Sequence, residues 1–229
     1  MLSSIEHFNT VLSEVTSEYF MMFHDDDIMN IEMISKLVDC LDNNINCVAA
    51  CTNADNMDEG GNLIGHFSSL HKDQIIYRKE ELYRFYYKNK SLPFPSFMYR
   101  TSMVKGIFLD LLKGGKYCDS CFILDLLDKG PIFYIYSYIG MCYRRSKFQD
   151  SHFIDLKARS KQIRYFSKAI DIDFKSEQAV KWRLKELYIT CCVEKKRFNI
   201  QLLHLFKKNG MYNLWIKALI KNIFLNVSR

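Results

Sequence analysis

Three consecutive aspartates, Asp25, Asp26 and Asp27, give this sequence its clearest capacity for chemistry. Adjacent carboxylates repel one another unless a cation lies among them. Hard divalent ions such as Mg²⁺ and Mn²⁺ prefer carboxylate oxygens, and Mg²⁺ is usually shared between one or two carboxylates and a substrate phosphate. The triplet therefore indicates a divalent-metal site, and a solvated acidic turn is the alternative that the residues alone leave open.

The elements around the triplet are expected to place it at the edge of a sheet. An unbroken run of large apolar residues, 19–23, predicts a buried strand that ends at the acids. An amphipathic helix over 30–41 and a short apolar strand over 46–52 follow, and this strand–helix–strand spacing favours a parallel sheet. Ligands of open α/β sheets bind beyond the carboxyl ends of the strands, which is where the triplet falls.

The residues 19–28, which read YFMMFHDDDI, resemble the metal-binding strand end of family-2-type glycosyltransferases, whose common form is Tyr-Ile-x-Phe-Leu-Asp-x-Asp-Asp. In that alignment Asp26 takes the second acid of the Asp-x-Asp motif and Asp27 takes the acid after it. His24 stands in place of the first acid, and it is placed among the substrate-binding residues. The resemblance implies a divalent metal, Mn²⁺ or Mg²⁺, held by Asp25, Asp26 and Asp27 against the diphosphate of a nucleotide sugar.

Asp119 begins a predicted helix that follows the helix-ending pair Gly114 and Gly115. From the residues alone, a simple N-cap is the favoured interpretation of Asp119. Its place in the order of segments matches the Glu-Asp pair of the same glycosyltransferases, whose second acid is the usual general base, and Cys118 stands at the first acid. The resemblance therefore implies that Asp119 takes the proton from the acceptor hydroxyl in an inverting transfer.

Two arginines are candidate ligands for the diphosphate of the donor. Arg100 ends the segment 96–100, which resembles the part of these enzymes that leads into the acceptor side, and a surface salt bridge is the alternative. The segment 143–151 resembles the family's closing Tyr-Arg-x-His-x-x-Gln-x-Ser, and Ser146 stands where that motif has its His. The residues in register with the motif are Tyr143, Arg144, Gln149 and Ser151.

Charge is unevenly distributed along the chain. Residues 1–150 hold 15 Lys and Arg against 20 Asp and Glu, a net charge of −5, whereas residues 151–229 hold 17 against 6, a net charge of +11. A last helix is predicted over 211–227, and it is expected to bury Trp215, Ile216, Leu219, Ile220, Ile223 and Phe224. A basic amphipathic helix of this kind can lie in an anionic membrane interface, and packing on the sheet domain is the alternative.

The same sequence also indicates what to expect of nucleic-acid binding, membrane insertion, zinc binding and cellular location. The aromatic residues of the basic region recur at core spacing and no recognised nucleic-acid motif is present, so nucleic acid is not an expected partner. No apolar run approaches the ~20 residues that a membrane span needs, and no signal peptide is evident. The eight cysteines lack a paired zinc spacing. We therefore expect a cytoplasmic protein, with a peripheral position at the inner face of the membrane as a further expectation.

These segments together predict an α/β protein with a partial glycosyltransferase A (Rossmann-like) fold, that is, a mixed sheet with flanking helices followed by a helical C-terminal region. Residues 1–151 would form the metal- and acceptor-binding part, and residues 152–229 the basic helical region. The resemblance implies metal-dependent, inverting transfer from a nucleotide-diphosphate sugar donor to a glycan or lipid-linked acceptor. The nucleotide-binding half of that fold is expected to be missing ahead of Met1. A catalytically inactive, truncated glycosyltransferase that binds a partner or a membrane is the alternative.

Overall fold

The structure is a computed structural model, and it describes residues 4–69, 71–88, 90–146, 155–173, 176–194 and 196–227. The chain forms two compact units, Met1–Phe153 and Ile154–Arg229. The first unit contains the sheet, and the second is helical. The predicted boundary between residues 151 and 152 lies outside the described residues.

A seven-stranded sheet forms the centre of the first unit. Its strands are β1 (Tyr19–Met21), β2 (Ile28–Met29), β3 (Ala49–Met57), β4 (Leu63–His66), β5 (Gln74–Ile76), β6 (Phe97–Arg100) and β7 (Ile132–Arg144). The helices of this unit are α1 (Ser4–Glu14), α2 (Met33–Asn43), α3 (Lys79–Tyr87), α4 (Thr101–Val104), α5 (Leu111–Gly114) and α6 (Cys118–Leu126). The strand order is β1-β6-β3-β7-β2, and β4 also pairs with β3 while β5 pairs with β7.

The sheet is mixed, which confirms the fold class that the resemblance implied. The parallel sheet favoured by the strand–helix–strand spacing is wrong in one respect, because β6 lies between β1 and β3 and runs antiparallel to both. Only β3 and β7 pair in parallel among the described strands. The hydrophobic run of β1 predicted a strand but carried no information about which distant segment would pair with it.

Helix α2 covers the sheet with one face because its apolar residues recur every four positions. Met33, Leu37 and Leu41 are fully buried, and they pack in one cluster with Ala50 of β3 and Met98 of β6. The first six residues of β3 are buried, as expected for a central strand. This packing fixes the position from which the chain leaves β1 and enters the acidic triplet.

The long strand β7 is irregular where it passes β3. The register between the two strands shifts on both sides of Asn53, and Gly140 packs against Thr52 at this point. A Cβ at residue 140 would lie 2.2 Å from the Thr52 hydroxyl oxygen, so a glycine is required for the close approach.

The second unit consists of helices whose starts are set by side-chain caps. Its helices are α7 (Leu156–Ala169), α8 (Glu177–Val193), α9 (Ile200–Lys208) and α10 (Tyr212–Val227). The side chains of Asp155, Ser176 and Asn199 accept hydrogen bonds from the first-turn amides of α7, α8 and α9. Phe198 and Phe206 are buried in the core of this unit. The prediction of a helical C-terminal region is confirmed.

The apolar face of α10 is not buried as the sequence predicted. Ile216, Ile220 and Ile223 are 47%, 48% and 61% exposed, because the small residue Ala218 and the half-buried Trp215 form the packed side. The Phe224 side chain lies outside the described residues. Among the described residues, no helix combines the length and the hydropathy that crossing a membrane requires.

Candidate metal and catalytic site

The acidic triplet lies in the connection between β1 and β2. Strand β1 ends at Met21, and β2 returns the chain along the end of β7, where Ile28 pairs with Cys142. Two short strands that pair with different neighbours therefore hold the ends of the segment 24–27.

His24, Asp26 and Asp27 bring their donor atoms together. One ligand atom from each of the three side chains lies within 4.8 Å of the others. The Asp27 carboxylate is 1% exposed, and its Oδ2 atom lies 3.8 Å from His24 Nδ1. Its Oδ1 atom accepts a hydrogen bond from the backbone amide of Arg144 at 2.8 Å.

One oxygen of the Asp27 carboxylate lacks a hydrogen bond within the described part of the chain. This Oδ2 atom is buried and has no hydrogen-bond partner there. Burial raises the pKa of the Asp27 carboxyl above its ordinary value, and the neighbouring Asp26 adds to this, although the Arg144 amide opposes it. Two carboxylates, one of which has a buried oxygen without a hydrogen bond, and an imidazole therefore fit a divalent cation such as Mn²⁺ or Mg²⁺.

Asp25 does not join this group. Its side chain is exposed, and the cluster of donor atoms consists of His24, Asp26 and Asp27. A metal-binding role for Asp25 stays a prediction. The sequence had assigned His24 to substrate, and its Nδ1 atom beside Asp27 makes it a candidate metal ligand as well.

Arg144 holds the backbone around this group. Its Nε atom donates to the Asp26 carbonyl at 2.7 Å, and its Nη1 atom donates to the carbonyls of Asp58 at 3.3 Å and Glu59 at 3.2 Å. The last two residues begin the tight turn 58–62, in which the Asp58 amide donates to the Asn62 carbonyl at 2.9 Å. Arg144 thus fixes the segment 24–27 against this turn. Contact between Arg144 and a phosphate stays a prediction.

The turn 58–62 was not assigned to the site from the sequence. The Ser146 hydroxyl, at the position where the family's motif has His, donates to Glu59 Oε1 at 2.7 Å. Asp58 and Glu59, which precede Gly60 and Gly61, were the available signal in the sequence. Only the tertiary structure brings these two acids to the end of β7. Gln149 and Ser151, which extend the predicted motif, lie outside the described residues.

Arg100 lies at the opposite end of β1 from the triplet. It pairs with Tyr19 across the β1–β6 ladder, whereas Met21 is the strand residue nearest the acids. Its guanidinium donates to Tyr19 Oη at 3.0 Å, to the Leu41 carbonyl at 2.8 Å and to the Cys47 carbonyl at 3.3 Å. The structure therefore does not bring Arg100 to the metal group, and these contacts join α2 to the sheet.

Asp119 lies in the first turn of α6, where Tyr117 and not Asp119 occupies the N-cap position. Phe122, one turn along the same face, packs edge-on against Phe94 at 6.3 Å between ring centroids. Phe94 in turn lies 6.4 Å from the His24 ring. The aromatic pair therefore connects the helix face that carries Asp119 to the segment 24–27. The catalytic role of Asp119 stays a prediction.

The mixed sheet, its flanking helices and this acidic strand end have the arrangement of a glycosyltransferase A fold. Residues 5–108 match the model of the family described as Glycosyl transferase family 2, which confirms on that segment the resemblance drawn from the sequence. A comparison with curated proteins found no match.

One solved structure with a TM-score above 0.5 shares the fold. The chain is similar to S. aureus TarS 1–349 in complex with UDP-GlcNAc, with a TM-score of 0.54 and 15% identity over 95% of this chain and 68% of that one. A complex of the same protein with UDP matches with a TM-score of 0.46 and 14% identity over 95% of this chain and 67% of that one. The chain thus spans about two thirds of the length of these structures.

Proposed function

We propose that the protein transfers a sugar from a nucleotide-diphosphate donor to a glycan or lipid-linked acceptor, with inversion at the anomeric carbon and with a divalent metal. The observation that carries the proposal is the buried Oδ2 atom of Asp27, which has no hydrogen-bond partner among the described residues and faces His24 beside Asp26. The UDP-GlcNAc and UDP complexes of the similar TarS structure support a UDP-linked donor.

The chain's own residues divide the work of the transfer. Asp26, Asp27 and His24 would hold the metal, which neutralises charge on the leaving diphosphate. Asp119 would take the proton from the acceptor hydroxyl as its oxygen bonds to the anomeric carbon. The bond from that carbon to the diphosphate oxygen breaks at the same time, and its electron pair leaves with the diphosphate. Arg144 would keep the segment 24–27 in place during this exchange.

The second unit would place the enzyme on the cytoplasmic face of an anionic membrane. Tyr212, Ile216, Ile220 and Ile223 form an exposed apolar stripe along α10, and residues 151–229 carry a net charge of +11. An apolar stripe on a strongly basic helical unit has the composition of an interfacial helix. This arrangement supports access to a lipid-linked acceptor at the membrane surface.

Calorimetric titration with UDP and Mn²⁺, together and separately, tests the proposed function. We expect UDP to bind only when Mn²⁺ is present, because the diphosphate and the three protein ligands would share the cation. GDP and dTDP serve as alternative nucleotides under the same conditions. A folded protein that binds none of the three with Mn²⁺ or Mg²⁺ would contradict the proposal and favour a catalytically inactive module.

A further inference from the structure

A basic groove lies on the first unit, outside the metal group. It consists of two adjacent cavities of about 560 and 230 Å³ that share Lys90 and Tyr136. We define the basic groove by six of its lining residues, His66, His71, Arg84, Lys88, Lys90 and Tyr136. The larger cavity falls within the size range of small-molecule sites.

The charge of the groove is opposite to that of the unit that contains it. Residues 1–150 carry a net charge of −5, yet the groove gathers three permanent cations and His71, together with His66, whose Nδ1 atom lies 2.5 Å from Asp55 Oδ1. Glu81, which also lines it, already accepts hydrogen bonds from the Tyr77 amide at 2.9 Å and from Arg78 Nε at 3.2 Å. Within the described residues, Arg84 and Lys88 form no ion pair. The groove therefore keeps an excess of positive charge that an anionic ligand would neutralise.

Helix electrostatics account for only part of this arrangement. Arg84 and Lys88 lie at the C-terminal end of α3, where the helix dipole favours cations. Lys90 follows Lys88 by two residues, so the three permanent cations come from one segment, 84–90, whereas the two histidines come from the segment 66–71. Two segments of the chain therefore bring basic side chains to the groove, which indicates a binding surface more than it indicates the stabilisation of one helix.

The remaining lining suits a carbohydrate chain. Tyr136 is 3% exposed, and its ring lies 5.2 Å from that of His71. Phe67 and Phe85 add apolar ring faces, and Ser68, Ser69 and Ser91 add hydroxyl groups. Aromatic faces can cover the apolar C–H faces of sugar rings, and hydroxyl groups can fix their orientation.

The His66 end of the groove is the end nearest the metal group. His66 pairs with Asp55 of β3, and Arg144 pairs with Met57, two residues further along the same strand. Because β4 and β7 flank β3 on opposite sides, two inter-strand spacings, together about 10 Å, add to the about 7 Å of two strand residues. Phe67 of the groove also contacts Tyr143, at 5.9 Å between ring centroids. A chain bound along the groove would thus lead toward the segment that Arg144 holds.

We propose that the basic groove binds the acceptor and that this acceptor is an anionic glycan, a carbohydrate chain that carries phosphate or carboxylate groups. The inference rests on the proposed function, which it deepens by naming the acceptor class. It requires no metal and no donor for binding, because the groove residues are separate from His24, Asp26 and Asp27.

Fluorescence polarisation of labelled fragments with the full chain, in the absence of donor and metal, tests the inference. The probes are a 6-phosphorylated mannan fragment, the same fragment without phosphate, and a short oligogalacturonate. We expect the two anionic probes to bind at least about tenfold more tightly than the neutral one at low salt, with affinity that falls as salt is added. The anionic probe that binds with the higher affinity shows whether the groove prefers phosphate or carboxylate.

Charge reversal in the groove provides the decisive comparison. The double variant Lys88→Glu/Lys90→Glu should weaken binding of the anionic probes at least about tenfold. The double variant Lys105→Glu/Lys129→Glu changes the net charge equally at exposed sites outside the groove, and it should bind them as the unmodified chain does. Circular dichroism confirms that both variants fold. Equal weakening in both variants, or equal binding of neutral and anionic probes, would overturn the inference.

The two proposals fail in different ways. Metal-dependent binding of UDP without any preference for anionic probes would remove the anionic acceptor and leave the glycosyltransferase activity. Groove-dependent binding of anionic probes without binding of any nucleotide would remove the proposed activity and leave a site for anionic glycans.

Discussion

Two arginine-centred regions lie at opposite ends of β1. In both, the guanidinium donates hydrogen bonds to backbone carbonyls, but the surroundings of the two arginines differ. In the Arg100 cluster (Arg100, Tyr19, Leu41, Asp42 and Cys47), the guanidinium donates to two backbone carbonyls and to Tyr19. Tyr19 Oη in turn donates to Asp42 at 2.5 Å. Each polar group that takes part in these contacts has a partner. The cluster joins α2, β1 and β6, and that is a structural task.

In the Arg144 cluster (Arg144, His24, Asp26, Asp27 and the turn 58–62), the guanidinium also donates to backbone carbonyls. Here, however, a buried carboxylate oxygen of Asp27 has no hydrogen-bond partner among the described residues. Buried polar groups in native proteins are normally satisfied. The comparison shows that an arginine's contacts alone do not reveal function, whereas an unsatisfied acceptor beside other donor atoms points to a missing ligand.

The largest expected effect separates the two clusters through Asp27→Asn. The amide keeps an oxygen that can accept the Arg144 amide hydrogen bond but removes the charge that would hold the metal. Metal-dependent UDP affinity should fall more than about 100-fold, whereas the free energy of unfolding should stay the same or rise because a buried charge is lost. Calorimetry and urea denaturation measure the two quantities. Asp25→Asn, which removes an exposed acid of the same triplet, is the control, and an equal loss there would place Asp25 among the ligands.

A smaller effect is expected from removing each arginine. Arg144→Ala should weaken metal-dependent UDP binding by about 10- to 100-fold, because the segment 24–27 loses its anchor to the turn 58–62. Arg100→Ala should lower the free energy of unfolding by about 2 kcal/mol, because two carbonyls and Tyr19 lose a charged partner, and it should leave UDP affinity unchanged. The same titrations and denaturation curves provide the check. A loss of UDP affinity in Arg100→Ala would show that the two clusters are coupled through β1.

The smallest effect concerns the thiols beside the Arg100 cluster. Burial raises the pKa of Cys40 to about 12, and the neighbouring Cys47 and Asp73 add to it. Because only the thiolate reacts, alkylation of Cys40 at pH 8 should be at least about tenfold slower than that of glutathione. Its rate should go on rising above pH 9, where the rate of an ordinary thiol levels off. Peptide mapping by mass spectrometry follows the reaction, and a rate equal to that of glutathione would mean that this end of α2 opens readily.

The sequence predicted the parts of this comparison that depend on local pattern. The apolar run before the acids predicted β1, and the spacing of apolar residues predicted α2 and the helices of the second unit. Asp26 and Asp27 were candidate ligands because their order matches a known strand end. His24 was noticed as a departure from that pattern, and the structure brings its ring to the acids.

Local pattern could not separate the two arginines. Arg100 and Arg144 both follow a tyrosine at the end of a strand, so nothing in their immediate neighbours distinguishes a structural from a functional position. The difference arises from pairing between distant strands, which places one beside α2 and the other beside Asp27. The exposed face of α10 has a similar origin, since helical spacing identifies an apolar face but not the neighbours available to cover it.

Strand β7 carries both Tyr136 of the basic groove and Arg144 of the Arg144 cluster. Eight residues separate the two positions, which corresponds to at most about 26 Å along an extended strand. The separation is set by covalent geometry and by the close packing of Gly140 on Thr52, so no movement of a loop can change it. Under the proposed acceptor role, this fixed separation would favour acceptors of a particular length. In such an acceptor, the number of sugar units between the bound anionic group and the reacting hydroxyl would match the separation.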